Sequence, residues 1–461
     1  MKITERFGKY FTGKSVLIMG FGTEGRSSYD FLKRHFPDVK ITIYDKNPVR
    51  MQNGARFISG SISNIKDNFD IILKSPGIPL PGDFLVKYIP ILSSQTDIFL
   101  REFYAQTIGV TGTKGKSTTV TLLHHILQNS GKNSILAGNI GVPVFDIVDY
   151  IDESSVVVLE LSSHQLQFIQ RSPHISALLN VYPEHLDFYK NFIEYRSAKM
   201  NIVKMQSEED QIVFPVKEFR GLERNSVSVP FEIIIDGDDV IVYYWKSSIV
   251  LSKKCIELKG SHNLYNIGAA LILSQLAGCN TEEAVQTVYN FKGLEHRMEM
   301  FGNYRDIEFC NDSISTIPQA TAAAIRAFGN VIGTLILGGY FRNSDIVWET
   351  LVEEIKISSV GNIVFLPDTG KMIYESLMST GFTSYESDGI TVIEYNGRKI
   401  KCFFCERFDE LPPIIFEQTK AHSVCLFSPA SSSYNMFKNF EERGKSFKKV
   451  ISDYVKGVSN D

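Results

Sequence analysis

The sequence predicts an α/β protein of three domains: an N-terminal Rossmann-like domain over 1–98, a central P-loop ATPase-type parallel sheet with a small accessory β-sheet over 99–298, and a C-terminal Rossmann-like domain over 299–461. Three observations predict it. The chain has 461 residues, which at roughly 150 residues per domain suggests about three domains. Apolar runs alternate with amphipathic stretches along its length, the pattern of βα units and parallel sheets. Two glycine-rich segments, GFGTEG (20–25) and GVTGTKGKST (109–118), each stand between an apolar run and an amphipathic one. That is where such folds bind phosphate.

In the first domain, SVLIM (15–19) reads as a strand. GFGTEG follows it and opens a helix reaching to about His35. ITIYD (41–45) is the next strand and ends in Asp45, 20 residues beyond Gly25. Together these make a dinucleotide-type fingerprint. Glycines allow the tight turn, the helix N-terminus meets phosphate, and the acid takes ribose hydroxyls. The blander alternative is a tight βα turn with no ligand. DIILKSPGIPL (70–80) adds a strand that runs into a Ser-Pro-Gly loop and completes the edge of such a site.

The second glycine-rich segment departs from the common G-x-x-x-x-G-K-[ST] loop. Its glycines fall at 109, 112 and 115, followed by Lys116 and Ser117. TIGV before it reads as a strand. STTVTLLHHILQNSGK after it reads as a helix, with apolar residues at 120, 122, 123, 126 and 127. Backbone N–H groups there bind anionic oxygens, Lys116 reaches terminal phosphates, and Ser117 is placed to ligate magnesium. SSVVVLELSSHQL (154–166) carries an apolar strand ending in Glu160. An acid at a strand end beside a phosphate loop is a candidate metal ligand; the bland reading is a solvent-facing carboxylate. EHLDFY (184–189) holds His185 and Asp187, and the helix after it puts Lys199 on the apolar face of Tyr195, Ile202 and Val203. That lysine either snorkels to water or is held beside metal or phosphate. FEIIIDGDDVIVYYWKSSIVL (231–251) reads as β-hairpin, and TLILGG, NIVFLPD and SVCLFSPA read as parallel strands of the third domain.

Composition narrows the class. The chain is 43% hydrophobic and 22% charged with a net charge of −4, so nothing points to nucleic acid or an anionic membrane as partner. No apolar run approaches the roughly 18 residues of a membrane helix. The opening MKITERFGKYFTGK is too polar for a signal peptide. Six cysteines are scattered, and Cys402 and Cys405 in KCFFCERF read as part of a buried strand. The expected compartment is a reducing cytoplasm.

The loop G-x-x-G-x-x-G-K-S, with GNIG (138–141), LELSSHQL (159–166), EHLD (184–187) and AK (198–199), resembles the ATP-dependent Mur ligase family. GSHNLYN (260–266), GLEHRMEMFG (293–302), NDSIST (311–316), LGG (337–339) and SPASSSYNMFKNFEERG (428–444) follow in the family's order. The resemblance spans essentially the whole chain and is greatest with the branch that adds D-glutamate. It implies three domains that bind, in turn, the UDP part of a nucleotide-sugar substrate, ATP and an amino acid. It implies a monomer that uses UDP-N-acetylmuramoyl-L-alanine and glutamate in cytoplasmic peptidoglycan precursor synthesis, through an acyl phosphate, with ATP and two magnesium ions as cofactors.

The resemblance also implies roles for residues. Gly112, Thr113, Lys114, Gly115, Lys116, Ser117, Thr118, Asn263, Asn266, Arg297 and Asp312 would bind ATP. Ser117, Glu160, His185 and a carbamylated Lys199 would hold metal, with Lys116, His185 and Lys199 closest to the chemistry. Gly22, Thr23, Asp45, Lys46, Ser75, Gly77, Asn139, Ser162 and Gln165 would meet the UDP-bearing substrate, and Thr316, Arg342, Ser433 and Phe440 the glutamate. Two features depart from the glutamate-adding pattern. Ile314 stands where a lysine is usual, and YFRNSD follows LGG where D-K-G or D-R-G is usual. Both bear on the added amino acid and leave open an L-glutamate-adding variant or a non-catalytic nucleotide-binding paralogue. A dinucleotide-dependent dehydrogenase leaves the 109–118 loop unexplained. A folylpolyglutamate synthase shares that loop but has no need of the N-terminal glycine-rich domain.

Overall fold

Strands that are apolar on consecutive residues need cover on both faces, which parallel βα units provide. The structure, a computed structural model, describes residues 2–47, 55–140, 142–186, 188–258, 260–341, 348–433 and 436–458. It divides into two compact units, Met1–Phe291 and Lys292–Asp461.

In the first unit, β1 (Ser15–Met19) is buried from Val16 to Met19. It pairs in parallel with β2 (Lys40–Asp45), which pairs with β3 (Ala55–Ser59). On its other side lie β4 (Ile71–Lys74) and β5 (Leu92–Ser93), also parallel, giving the order β3-β2-β1-β4-β5. Strand order reverses between β1 and β4, so the carboxyl ends of these strands open a crevice.

The second sheet comprises β6 (Thr107–Thr111), β7 (Asn133–Gly138), β8 (Ser155–Glu160), β9 (Ile175–Leu178), β10 (Gln211–Pro215), β11 (Val227–Asp236), β12 (Asp239–Tyr244) and β13 (Ser247–Ser252), in the order β13-β12-β11-β10-β9-β6-β8-β7. The accessory strands are continuous with the main sheet. Residues Val227–Phe231 of the ten-residue β11 pair in parallel with β10. Phe231–Asp236 run on to form the antiparallel hairpin with β12, to which β13 adds a further strand. Helices Lys116–Asn129 and Ser261–Leu276 share one core with this sheet, through Val120, Leu123, Leu127, Ile267 and Leu271 among others. A second core joins the two sheets of the unit: Phe31 of the first glycine-loop helix stacks on Phe145, with centroids 4.3 Å apart.

The second unit holds one sheet of β14 (Glu299–Tyr304), β15 (Ile307–Asn311), β16 (Ile332–Gly338), β17 (Asn362–Leu366), β18 (Thr383–Ser387), β19 (Ile390–Tyr395), β20 (Arg398–Phe404) and β21 (Ser423–Phe427), ordered β14-β15-β21-β16-β17-β20-β19-β18. Its centre, from β15 to β20, is parallel, and both edges are antiparallel. Cys402 lies on β20 with Cys405 just beyond it, both buried. Burial pushes both thiols up to about 12, as expected of core residues rather than a redox pair.

Candidate functional site

The 112–118 loop leaves β6 and enters helix Lys116–Asn129 through Gly115, whose φ of 90° is a left-handed conformation that favours glycine. A Cβ at Gly115 would lie 2.1 Å from Asn266 Oδ1, so Asn266 packs directly under the turn. Asn266 Nδ2 in turn donates to Asn263 Oδ1 at 2.9 Å, so both asparagines of the GSHNLYN segment stand behind the loop. Thr113 and Lys114 are tied to the segment after β9. Thr113 N donates to Asn180 O at 2.9 Å, Lys114 N donates to Asn180 Oδ1 at 2.9 Å, and Thr113 Oγ1 is 2.9 Å from Tyr195 Oη. Lys114 Nζ pairs with Glu184 at 2.5 Å. Lys116 Nζ lies over the loop and donates to Gly112 O and Thr113 O, both at 3.0 Å. Ser117 and Thr118 occupy the first helical turn, half-buried.

Lys199, on helix Phe192–Lys204, does not snorkel to water. It is 2% exposed and donates to Gly112 O at 2.9 Å, so it shares an acceptor with Lys116. Burial first, and Lys116 second, hold its ammonium down to about 7. Glu160 ends β8 at 2% exposure. Its Oε1 accepts from Asn139 Nδ2 at 2.7 Å, while Oε2 is buried without a hydrogen-bond partner among the described residues. A buried carboxylate with an unsatisfied oxygen beside a buried lysine is the donor chemistry a hard cation needs. Ser117 supplies a further oxygen from the loop. His185 is exposed, with φ 57° and its ring 5.1 Å from that of His164. Among the described residues no group of three or more His, Cys, Asp and Glu side chains gathers as a ready metal site. Asp187 lies outside the described residues.

The crevice of the first sheet is a pocket of about 470 Å³ lined by Gly20, Gly22, Thr23, Glu24, Asp45, Ser75, Pro76, Ile78 and, from the second sheet, Gly138, Asn139 and Pro143. Asp45 Oδ2 accepts from Phe21 N at 2.8 Å, so its carboxylate braces the glycine turn. Ser75 Oγ donates to Gly20 O at 3.0 Å. Lys46 and Gly77, both exposed, fall outside this lining. Ser162 and Gln165 form a capping box at the start of helix Ser163–Leu166, and Gln165 Nε2 donates to Glu24 Oε1 at 2.8 Å. Sequence reading assigned no role to Glu24 or Lys74. Their signal is nonlocal, since it arises only where β4 and the Thr23–His35 helix pack together.

In the second unit, Asp312 is buried and both carboxylate oxygens are engaged. Oδ1 accepts from Met298 N at 3.1 Å, and Oδ2 accepts from Ser315 Oγ at 2.6 Å and Ser428 Oγ at 2.7 Å. Burial raises its pKa. Arg297 is exposed nearby in sequence. Arg443, 2% exposed, donates to Ser313 Oγ and O and to the carbonyls of Ser431 and Ser432, at 2.8–3.0 Å. It thereby ties together the segments that hold Thr316, Ser433 and Phe440, and Ser313 Oγ also donates to Phe440 O at 2.8 Å. Ile314, half-buried, donates its N–H to His296 O at 3.0 Å. Arg342 and Gly141 lie outside the described residues.

Residues 110–274 match the model of the Mur ligase middle domain. The UDP-N-acetylmuramoylalanine--D-glutamate ligase of Streptococcus agalactiae serotype III (strain NEM316) is 30% identical over 459 residues, 95% of this chain and 96% of that protein. The protein of the same name from Clostridium tetani (strain Massachusetts / E88) is 30% identical over 475 residues, 96% of this chain and 98% of that one. Among solved structures, the MurF ligase of Thermotoga maritima in complex with ADP superposes with a TM-score of 0.53 at 16% identity, covering 97% of this chain and 96% of that chain. UDP-N-acetylmuramate-alanine ligase MurC from the same organism gives 0.51 at 18% identity, covering 96% and 100%. At these identities the two structures show a shared fold.

Proposed function

This chain belongs to the Mur ligase family of ATP-dependent, ADP-forming amide ligases, and from that premise we propose that it joins D-glutamate to UDP-N-acetylmuramoyl-L-alanine in the cytoplasm, as a step of peptidoglycan precursor synthesis. A carboxylate is a poor electrophile because its oxygen is a poor leaving group. A carboxylate oxygen of the nucleotide-sugar substrate attacks the γ-phosphorus of ATP, the bond to the bridging oxygen breaks, and ADP departs. The amine of glutamate, having lost its extra proton, then attacks the acyl carbon; the carbon–oxygen bond breaks and phosphate leaves.

The observation that carries this reading is the convergence on Gly112 O of Lys116 and buried Lys199, beside the phosphate loop. The protein's share is to position crowded anions and offset their charge. Backbone N–H groups of 112–118 and Lys116 bind the phosphates of ATP, and Asn266 buttresses Gly115 beneath them. By the family resemblance, Asn263 faces the adenine, and Arg297 and Asp312 meet the ribose and phosphates. Lys199 carries a carbamate, which exchanges a buried cation for an anion. Magnesium held by Ser117, Glu160, His185 and that carbamate would neutralise oxygens of the transferring phosphoryl group. The crevice residues Gly22, Thr23, Asp45 and Ser75, with Asn139, Ser162 and Gln165, take the UDP-bearing substrate. Arg342, Thr316, Ser433 and Phe440 take the glutamate, the arginine pairing with a carboxylate.

Heavy-oxygen labelling of the substrate carboxylate tests the chemistry. The acyl-phosphate route moves one labelled oxygen per turnover into inorganic phosphate. Phosphate released without label, alongside amide product, would contradict it.

A further inference from the structure

The crevice of the first sheet holds an arrangement that the ligase chemistry leaves unused. Glu24 sits in the first turn of helix Thr23–His35 and lines the pocket. Its Oε1 accepts from Gln165 Nε2 at 2.8 Å, and its Oε2 is buried without a hydrogen-bond partner among the described residues. The Gln165 amide is fixed in this sense, because its own Oε1 accepts from Ser162 N at 3.0 Å and Ser162 Oγ at 3.1 Å. Behind Glu24 stands Lys74, 4% exposed, whose Nζ donates to Ser75 O at 3.2 Å and lies 5.8 Å from the Phe168 ring and 5.9 Å from the Phe188 ring. A carboxylate thus occupies the helix turn where an anionic ligand is otherwise favoured.

Resting on the ligase reading, we propose that Glu24 is a ligand of the substrate's diphosphate, that it binds as the protonated acid and donates to a phosphate oxygen, and that its proton is taken up when the nucleotide sugar binds. Like charges decide the protonation state of Glu24. An ionised carboxylate within contact of a diphosphate costs binding energy, and protonation converts the same group from repulsive acceptor to donor. Glu24 lines the pocket, and its Oε2 is the oxygen that no described side chain engages. Among the described residues, the charged groups around it are Lys74 from β4 and Asp45 from β2, which lines the same pocket. Gln165, and Gln95, which donates to the Glu24 carbonyl at 2.7 Å, are neutral. Burial, only partly opposed by Gln165 and Lys74, already pushes Glu24 up to about 7, and burial holds Lys74 down to about 8. An incoming diphosphate raises Glu24 further. The sign follows: above about pH 7 free Glu24 is ionised and must gain a proton to bind, so affinity falls as pH rises, by up to about tenfold per unit.

The test is calorimetric titration of the full chain with UDP-N-acetylmuramoyl-L-alanine, slightly alkaline, in two buffers of different ionisation enthalpy. The esterified diphosphate of this ligand has no proton to gain in that range. Wild type should take up a substantial fraction of one proton. Glu24→Gln keeps the donor without the charge, and should take up clearly less and show a shallower dependence of affinity on pH. ADP affinity, measured alongside, reports that the variant's phosphate loop is intact. Proton uptake that is undiminished in Glu24→Gln belongs to Lys74 and overturns the proposal. Tight binding by wild type without uptake overturns it too, yet leaves the ligase reading standing. Absence of nucleotide-sugar binding by a wild type that binds ADP overturns both.

Discussion

Lys199 owes its chemistry to its surroundings. A carbamate forms only from the neutral amine, and an exposed lysine is almost wholly protonated at neutral pH. Burial on the Tyr195 face of its helix lowers the pKa to about 7, which makes the neutral amine available. Lys199→Ala should therefore lose activity, and millimolar acetate or another small carboxylate should restore part of it; full activity without rescue removes the carbamate from the mechanism. Lys116 has a simpler part. It contacts loop carbonyls rather than the core, so Lys116→Ala should fold normally. Losing one charge-assisted contact in the transition state costs roughly 3 kcal/mol, at least a hundredfold in turnover of ATP. A folded variant that keeps most of its turnover would refute the assignment of the loop. Lys116 was legible from its motif. Lys199 was half-legible, because helical spacing places a lysine on an apolar face but does not say whether its head reaches water. Glu24 was illegible as a functional group, since its fixed partner Gln165 and its counter-charge Lys74 come from distant parts of the chain.

Between elements, the second unit depends on Arg443. It leaves helix Phe440–Val458 and satisfies four acceptors on the loops after β15 and β21. No carboxylate is among those acceptors, and burial draws the guanidinium down to about 9. Arg443→Met would leave those acceptors unpaired in the core, a cost of about 3 kcal/mol to the unit's stability. The loops it ties carry Thr316 and Ser433, so the KM for glutamate should rise about tenfold or more while nucleotide-sugar affinity in the first unit stays unchanged. An unaltered KM in a folded variant would mean that the loops hold themselves. Strand and helix positions were legible at this scale, because apolar runs and glycine punctuation are local signals. The continuity of the accessory strands with the main sheet was not. It follows from the length of β11, which pairs with β10 along its first half and β12 along its second.

For the molecule as a whole, the three sheets follow from alternating βα patterns, and the two glycine-rich loops each stand between a strand and a helix, as the sequence predicts. The packing of the first two sheets into one unit was hidden, since it rests on contacts such as Phe31 with Phe145 that no local pattern announces. The identity of the added amino acid was also beyond the sequence pattern. Ile314 stands where a lysine is usual in the glutamate-adding branch, and Arg342, proposed to pair with a carboxylate, lies outside the described residues. The central claim is the joining of D-glutamate, and phosphate release tests it most directly. The purified chain is given ATP, magnesium and UDP-N-acetylmuramoyl-L-alanine, with each pure enantiomer of glutamate and a panel of neutral and basic amino acids in separate assays. The account predicts phosphate release that requires the nucleotide sugar and is fastest with D-glutamate. Preference for L-glutamate would reverse the stereochemical assignment, and preference for a neutral or basic amino acid over both enantiomers would contradict the account.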